Sequence, residues 1–485
     1  MIRLFFRPLT LALLFVVVAA GCELSSPVSA PPGGDLGATP GGVQDMSLAR
    51  ELVAQGRVPP PEALLVEAMF SEYDLPISGA PCERALCLRG ALGIAPTLDN
   101  LASGWMQVGL SSNVDPAVLE GSSLTLVLVI DVSGSMGGGT GDNDYPTYLA
   151  LAQGLIEKLV AELGPDDEVA VVTFGSSAQT VLRFTPGDQQ DEILSVVRRL
   201  SPGGSTSLEA GLRTAYSLME EAEGAGERRL MLFSDERPNV GATSPTAFEA
   251  LIAEGARAGI GLTIFGIGNT LGAELFDVMA RTRGGNAFSL QDGADITRIM
   301  AQDWPYLAVP IAYDLDITLA PAGGFAAAEG YGFPVGDDEA ALRVATVFLS
   351  QRRGALLVRF TPPPSGELNN FAVAGLIAYD TPDGLPVSGT FEASYDGVAL
   401  DSRGQYFAQP SVAKSVALAV LVSNLRQAAE DYRVGAAERA VDRVTRALAR
   451  FEADVAALAE GGLEPEVRFT RDLLELMRRG APVGF

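Results

Sequence analysis

The chain has 485 residues, and its length alone predicts about three domains rather than one. It carries 60 acidic and 34 basic residues, a net charge of −26, so phosphate backbones would repel it and nucleic acid is excluded as the default partner. It contains no histidine, which removes every Ser–His and Cys–His catalytic pair and every His-ligated zinc site. A metal in this protein would therefore be held by oxygen atoms or by the three cysteines.

Residues 1–21 have the pattern of an export signal. Arg3 and Arg7 precede an apolar run over residues 9–18, which is too short to span a bilayer, and the segment ends in Val-Ala-Ala-Gly before Cys22. The pattern resembles the bacterial lipoprotein signal, in which cleavage precedes a cysteine that then carries lipid, although Ala19 stands where that family prefers leucine. An ordinary secretory peptide cut near the same point is the alternative.

The lipoprotein resemblance also implies a location. Lipid on Cys22 would be the only contact with a membrane, since no later apolar run approaches bilayer length. Glu23 follows the cysteine in place of the aspartate that retains many lipoproteins at the inner membrane. We therefore expect a lipid-anchored protein of the bacterial cell envelope, attached to the outer membrane in a cell with two membranes.

Between the signal and the body, residues 22–45 are rich in Ser, Pro and Gly and predict a flexible tether. Residues 46–118 form an N-terminal segment that we expect to pack with the body. Helices are predicted in this segment over residues 47–58 and 62–73.

Two cysteines, Cys82 and Cys87, lie close together in the N-terminal segment. Nearby cysteines usually pair in an oxidising compartment, which favours a structural disulfide. A metal-binding or redox pair is the alternative, but the sequence offers neither partner ligands nor a Cys-x-x-Cys spacing.

Strands and helices alternate across residues 119–305. The run LTLVLVID at residues 124–131 is continuous, apolar and β-branched, which is typical of a strand buried on both faces. Further strands are predicted at residues 168–174, 180–184, 229–235 and 262–268, and helices at residues 148–163, 189–200, 207–222, 246–258 and 274–281. This alternation predicts an α/β fold with a doubly wound, mostly parallel sheet, whose functional site lies beyond the carboxyl ends of the central strands.

Five oxygen-bearing side chains fall at those strand ends and loops. Asp131, Ser133 and Ser135 alternate in the turn after the first strand, so their side chains can converge on one point. Thr206 stands at a loop-to-helix junction and Asp235 closes the strand at 229–235. Two carboxylates and three hydroxyls are hard donors that suit Mg²⁺ or Mn²⁺, with Ca²⁺ a further candidate. The sequence therefore predicts a divalent cation with one position left open for an outside ligand.

The same five residues, in this order, resemble the metal-ion-dependent adhesion site (MIDAS) of the von Willebrand factor type A (VWA) domain. The resemblance covers residues 124–304, with the Asp-x-Ser-x-Ser motif beginning at Asp131. It implies a Rossmann-like fold, a bound Mg²⁺ and a partner protein that supplies an Asp or Glu carboxylate. Glu236 departs from the Asp-Gly pair frequent in bacterial relatives, and its charge could tighten the ion or shield the open position.

Turn and cap chemistry offers another explanation for these residues. Thr206, with Glu209 three residues later, has the spacing of a capping box. Asp131 and the two serines are also common turn formers. Nearby, Asp142 and Asp144 are interpreted as a solvated loop at the rim of the site rather than as ligands.

After residue 305 the pattern changes twice. Residues 306–405 contain at least four alternating apolar runs separated by Gly and Pro, which predict an antiparallel, β-sandwich-like region that N-terminal strands could join. Residues 406–485 are predicted to form a helical tail. An apolar stripe at spacings of three and four marks this tail: Val441, Val444, Leu448, Phe451, Val455 and Leu458. We interpret the stripe as packing against the body, with a partner-binding helix as the alternative.

Three functions are compatible with the predicted site. The favoured one is a metal-dependent adhesion or assembly module on a lipid-anchored envelope protein, whose cation is completed by a partner carboxylate. An envelope scaffold with a purely structural metal is the alternative. A metal-assisted hydrolase is the third, but the sequence lacks a general base, a Gly-x-Ser-x-Gly motif and a phosphate-binding lysine motif. The protein is therefore not expected to be an enzyme.

Overall fold

The computed structural model describes residues 36–115, 123–224, 226–235, 245–268, 278–304, 306–332, 341–458 and 462–484. The predicted signal, the predicted lipidation site Cys22, the departure at Glu236 and the first half of the predicted helix at 274–281 lie outside these ranges. No helix within them is both long and apolar enough to cross a membrane.

The strands of the described residues form two sheets, one of seven strands and one of ten. In chain order they are β1 Leu36–Pro40, β2 Gly42–Val43, β3 Cys87–Pro96, β4 Ala102–Ser112, β5 Leu124–Asp131, β6 Glu168–Phe174, β7 Ala178–Pro186, β8 Glu227–Ser234, β9 Gly261–Ile267, β10 Gly285–Leu290, β11 Pro310–Pro321, β12 Ala326–Tyr331, β13 Ala341–Ser350, β14 Ala355–Thr361, β15 Ala372–Asp380, β16 Pro386–Ser394 and β17 Tyr406–Phe407.

The α-helices of at least six residues pack on these sheets and behind them. They are α1 Ser47–Ala54, α2 Val66–Ser71, α3 Tyr148–Ala161, α4 Gln190–Val197, α5 Leu208–Glu220, α6 Pro245–Arg257, α7 Gly293–Arg298, α8 Pro410–Arg433, α9 Ala437–Leu458 and α10 Glu464–Arg478.

The seven-stranded sheet has the order β2-β10-β9-β8-β5-β6-β7. All its neighbouring strands run parallel except β7, which pairs antiparallel with β6 at one edge. This confirms the predicted doubly wound, mostly parallel sheet. All eight positions of the central strand β5 are buried, as its continuous apolar run predicted.

Each face of this sheet has its own core. Leu126, Leu128 and Ile130 of β5 pack in the cluster that contains α3 and α4, whereas Val127 and Val129 pack in the cluster that contains α5 and α6. These five side chains are fully buried, and burial of each contributes roughly 1.5–3 kcal/mol to folding. The two-sided burial fixes the direction of the strand and therefore the position of the loop that follows it.

The ten-stranded sheet has the order β12-β14-β4-β1-β13-β11-β15-β16, with β3 paired to the free side of β4 and β17 to β3. All its strand pairs are antiparallel. The sheet folds back on itself, because a Cβ built on Gly90 of β3 would lie 2.9 Å from the ring of Phe391 in β16. The side chains enclosed by the folded sheet form one hydrophobic core, so this region resembles a β-sandwich.

The flexible tether predicted over residues 22–45 is wrong for its last part. Strand β1 lies inside the ten-stranded sheet, between β4 and β13, and β2 adds a parallel strand beside β10 of the other sheet. Gly42, the first residue of β2, has a φ of 108°, a conformation that favours glycine. Local composition could not reveal this, because the pairing is made entirely with strands distant in the chain.

A buried ion network ties the residue at the end of the predicted tether, Asp45, to the α/β domain. Arg298 of α7 contacts Asp45 at 3.2 Å, Asp295 at 3.1 Å and Asp303 at 3.4 Å. Arg352, in the turn between β13 and β14, holds the other oxygen of Asp303 at 2.5 Å. Burial raises the pKa of the Asp295 carboxyl, and the neighbouring charge of Asp45 raises it further.

The helical tail covers one side of the molecule. Val444 and Phe451 of α9 are buried in the same core as α8, and the rest of the predicted stripe is partly buried against that core. The C-terminus returns to the N-terminal segment, where Val58 pairs with Val483. In that segment Cys82 and Cys87 form a disulfide, with their Cα atoms 5.7 Å apart.

Candidate functional site

The carboxyl ends of β5 and β8 carry two buried aspartates. The strands are adjacent and parallel, with Ile130 paired to Phe233. Asp131 is the last residue of β5 and is fully buried, and Asp235 directly follows β8 with 2% of its surface exposed. Burying a carboxylate is unfavourable unless polar groups hydrogen-bond to it, so both aspartates need polar neighbours.

Hydroxyl groups link the two aspartates. The Ser135 Oγ donates to Asp235 Oδ1 at 3.0 Å and lies 2.9 Å from the Ser133 Oγ. The backbone N–H of Ser133 donates to Asp131 Oδ1 at 2.8 Å, which closes the turn after β5. The Ser234 hydroxyl donates to Asp131 Oδ2 at 2.6 Å. The structure therefore brings four of the five predicted residues into one hydrogen-bonded chain.

Thr206 lies in the loop that packs against this turn. The backbone N–H of Gly134 donates to the Gly204 carbonyl at 3.0 Å, and that of Gly203 donates to the Val132 carbonyl at 2.7 Å. Thr206 is 1% exposed and precedes α5 by two residues. The two backbone bonds lock the Thr206 loop to the Asp131 loop, although the loops are about seventy residues apart in the chain.

Tyr148 also lies at the carboxyl edge of the sheet, and the sequence analysis did not predict it as a site residue. It is the first residue of α3, and its backbone N–H donates to the Gly138 carbonyl at 3.0 Å. A Cβ built on Gly268, which follows β9 with a φ of 67°, would lie 3.0 Å from the Tyr148 hydroxyl. Burial raises the pKa of this phenol, and the charges of Asp235 and Glu51 raise it further. The hydroxyl therefore remains a hydrogen-bond donor at neutral pH.

Sequence reasoning missed Ser234 as well, although its position immediately before Asp235 at the strand end was a usable signal. No comparable signal marked Tyr148, because an aromatic residue after a helix cap is ordinary. Asp142, interpreted as part of a solvated rim, accepts a hydrogen bond at 2.9 Å from the Gly293 N–H, and this bond lowers its pKa. Asp144 is exposed.

The donor set can be compared with the needs of a small divalent cation. Among the described residues no group of three or more acidic or cysteine side chains gathers as a metal site. The edge instead offers two carboxylates with hydroxyls, and Mg²⁺ is usually bound by one or two carboxylates with neutral oxygens and water. Six oxygens placed 2.0–2.1 Å from Mg²⁺ in an octahedron lie about 2.9 Å from their neighbours. The Ser135 Oγ is hydrogen-bonded to the Ser133 Oγ at 2.9 Å and to Asp235 Oδ1 at 3.0 Å, so these three oxygens are already close enough together to share a cation of this size.

Comparison with known proteins bears on the same residues. Residues 126–237, which contain the whole hydroxyl and carboxylate set, match the family model of the von Willebrand factor type A domain. The chain contains a VWA domain. The matched range begins within β5 and ends just after β8.

Two curated relatives share part of the sequence. An uncharacterised Escherichia coli protein, YfbK, is 27% identical over 275 residues, which cover 55% of this chain and 46% of the relative. The inter-alpha-trypsin inhibitor heavy chain H1 of Mesocricetus auratus is 26% identical over 211 residues, covering 42% of this chain and 22% of the relative. The chain thus spans less than half the length of these curated relatives.

Similarity of fold extends beyond the VWA domain. A von Willebrand factor type A protein from Catenulispora acidiphila superposes with a TM-score of 0.53 and 15% identity. The superposition covers 83% of this chain and 99% of that one. The likeness therefore includes regions outside the VWA domain, and it is a likeness of fold.

Proposed function

We propose that this protein is a metal-dependent protein-binding module, and that a partner carboxylate completes the coordination of a divalent cation at the carboxyl edge of the VWA sheet. The observation that carries the proposal is the hydroxyl chain between two buried aspartates, with neighbouring oxygens 2.9–3.0 Å apart. The presence of a VWA domain supports an interaction module. The related heavy chains and YfbK share that domain.

Each residue has a role in this proposal. The Ser133 and Ser135 hydroxyls would hold Mg²⁺ or Mn²⁺, and Asp131, Thr206 and Asp235 would complete the ligand set directly or through water. Two carboxylates at most balance the charge of a divalent cation, and a coordination position left open would still bind a carboxylate oxygen. Ser234 holds the Asp131 carboxylate in place through the 2.6 Å bond to Oδ2.

Tyr148 contributes at the rim. Its hydroxyl is half-buried beside the charge of Asp235 and stays protonated. We assign it the donation of a hydrogen bond to the second oxygen of the incoming carboxylate, the charge-assisted type of bond that adds affinity and direction. A partner that offers Asp or Glu is then preferred over one that offers a neutral amide.

The test is capture of partners from an envelope extract by the purified protein, with Mg²⁺ and then with a chelator. Proteins retained only with Mg²⁺ are expected, and Thr206→Ala should lose them, whereas Asp144→Ala at the exposed rim should retain them. If Mg²⁺ raises the melting temperature but no protein is captured in a metal-dependent way, the site is a structural metal centre of a scaffold and the adhesion proposal fails.

The proposal includes attachment through lipid at Cys22. Support comes from the Arg3–Arg7 segment, the short apolar run and the small residues before the cysteine. The Cys22→Ser variant is expected to move from the membrane fraction to the soluble fraction of the envelope. Retention of that variant in the membrane fraction would contradict lipid anchoring.

A further inference from the structure

A short exposed loop borders the turn that carries the predicted metal ligands. It spans residues 201–205, Ser-Pro-Gly-Gly-Ser, and all five are exposed, whereas the next residue, Thr206, is buried. This Gly-Gly loop contains no charged residue, although the chain as a whole has a net charge of −26. A molecule that approaches the metal site from this side would therefore meet a neutral surface made largely of main chain.

Hydrogen bonds fix the Gly-Gly loop in place. Backbone bonds join Gly203 and Gly204 to the Asp131 loop. The N–H of Ser205 donates to the Ser176 Oγ at 3.0 Å, and the hydroxyls of these two serines lie 3.2 Å apart. The loop is thus exposed but already ordered, so a partner that binds to it would lose little affinity to the ordering of the loop.

The two glycines of this loop differ in what the fold requires. Gly204 has a φ of 87°, and a Cβ built on it would lie 2.6 Å from the Ser176 Oγ. Gly203 has no positive φ, and a Cβ built on it would meet no atom within 4 Å among the described residues. Every other described glycine with such open space has a positive φ. Backbone conformation therefore accounts for all of these glycines except Gly203.

A glycine that the fold does not require needs another explanation, because it adds conformational freedom to the unfolded chain and so lowers stability. One use of glycine is to let another molecule come close to the backbone. Gly203 faces open space and is bonded to Val132, which lies between Asp131 and Ser133. The bare backbone thus leaves room directly beside the place where a partner carboxylate would reach the cation.

We infer that the partner presents its carboxylate from an extended segment whose main chain lies against Gly203. This inference rests on the proposed metal-dependent binding and adds the shape of the partner to it. Side chains surround a helix on all sides and keep its backbone away from a neighbouring surface, whereas an extended segment can bring its backbone into contact. The acidic residue of the partner is therefore expected in an exposed loop or strand.

The first measurement needs no metal. Gly203→Leu should be no less stable than the wild type when both are unfolded in urea without divalent cations, since its side chain would enter open space. Gly204→Leu should be less stable, because its φ and the Ser176 Oγ oppose a side chain. A clear loss of stability in Gly203→Leu would show that the fold requires this glycine and would overturn the inference.

The second measurement compares two probes, acetate and the peptide acetyl-Ala-Asp-Ala-amide, by proton NMR with Mn²⁺ added below the protein concentration. Mn²⁺ broadens the signals of a molecule that binds next to it. Gly203→Leu should weaken peptide binding about tenfold or more, and leave acetate and Mn²⁺ binding unchanged, because acetate has no main chain to place beside residue 203. Gly164→Leu, before β6 at the opposite edge, is the matched control, since its Cβ would lie 3.8 Å from the nearest atom.

The outcomes separate this inference from the proposed function. Equal peptide binding in Gly203→Leu and the wild type overturns the inference and leaves the metal-dependent site intact. Loss of both probes in Gly203→Leu at unchanged Mn²⁺ affinity also overturns it, since the leucine would then block the opening of the site itself. If neither probe shows Mn²⁺-dependent broadening with the wild type, the proposed function fails and the inference fails with it.

Discussion

The two edges of the VWA sheet carry opposite chemistry on the same strands. At the carboxyl edge Asp131 and Asp235 are buried and joined through serine hydroxyls. At the amino edge Arg229 is fully buried and donates to the Gly284 carbonyl and to the Thr263 hydroxyl, both at 3.1 Å. The oxygens of the carboxyl edge suit a small cation, whereas the guanidinium of the amino edge is used to hold neighbouring parts of the sheet together. The two ends of the same sheet therefore use buried polar groups for different purposes.

The largest effect is expected when the charge at the carboxyl edge is removed without changing its shape. Asp131→Asn retains an oxygen to accept the Ser133 N–H but removes a carboxylate from the predicted ligand set. Mg²⁺ affinity, measured calorimetrically, should fall at least about a hundredfold, more than is typical when only a group behind a ligand is lost. Asp144→Asn, at the exposed rim, should leave it unchanged. Equal Mg²⁺ affinity in Asp131→Asn and the wild type would contradict the metal site.

Two glycines at the opposite ends of β9, Gly261 as its first residue and Gly268 just after it, give a pair for comparison across the sheet. A Cβ on Gly268 would lie 2.9 Å from Tyr148 Cζ at the carboxyl edge, and one on Gly261 would lie 2.8 Å from Arg229 Cζ at the amino edge. Both alanine substitutions should lower the free energy of unfolding in urea, by about 1–3 kcal/mol. Only Gly268→Ala should also weaken metal-dependent partner capture, since it displaces Tyr148. Loss of capture in both variants would show that the edges are coupled.

A smaller effect is expected for the rim tyrosine. Tyr148→Phe removes one hydrogen-bond donor and retains the ring that packs on Gly138 and Gly268. Partner affinity should fall about three- to tenfold, because one hydrogen bond to a charged group is lost and the Tyr148 hydroxyl is partly exposed to water. Mg²⁺ affinity should not change, since the proposal places Tyr148 outside the metal shell. A similar fall in Mg²⁺ affinity would instead show that Tyr148 helps to bind the metal.

The smallest effect concerns pH and the ion network around Arg298. The pKa of Asp295 is raised above 3.8 in the folded state, by burial first and then by Asp45. The folded protein then binds this proton more tightly than the unfolded chain, so the contribution to stability is largest below pH 3.8 and is lost as pH rises through the folded pKa. The stability of Asp295→Asn should not fall in this way as the pH rises. Urea unfolding of both proteins at several pH values between about 4 and 7 tests it, and a difference that does not vary with pH would contradict it.

The sequence predicted the VWA domain well because its signals are local. The continuous apolar run of β5 indicates burial on both faces, and the polar residues after β5 and β8 mark the edge where the loops meet. Asp131, Ser133, Ser135 and Asp235 could be named because each follows or ends a recognisable strand. The predicted limits of these strands and of α3 to α6 differ from the observed ones by at most three residues.

What the sequence did not predict depends on partners distant in the chain. Strand β1 reads locally as a Gly- and Pro-containing linker and becomes a strand only between β4 and β13. Tyr148 reads as a helix start and reaches the site only because Gly268 and Gly138 leave room for its ring.

The placement of β1 and β2 has a mechanical consequence. Residues 36–43 run from the middle of the ten-stranded sheet directly into the edge of the VWA sheet. A force applied to the chain at Leu36 would therefore act on a strand in the interior of a sheet. The antiparallel bonds that join β1 to β13 would bear that load together, and rupture would require them to break at nearly the same time. If the protein is anchored by its N-terminus and binds a partner at the carboxyl edge of its VWA sheet, tension between the two would pass through both sheets.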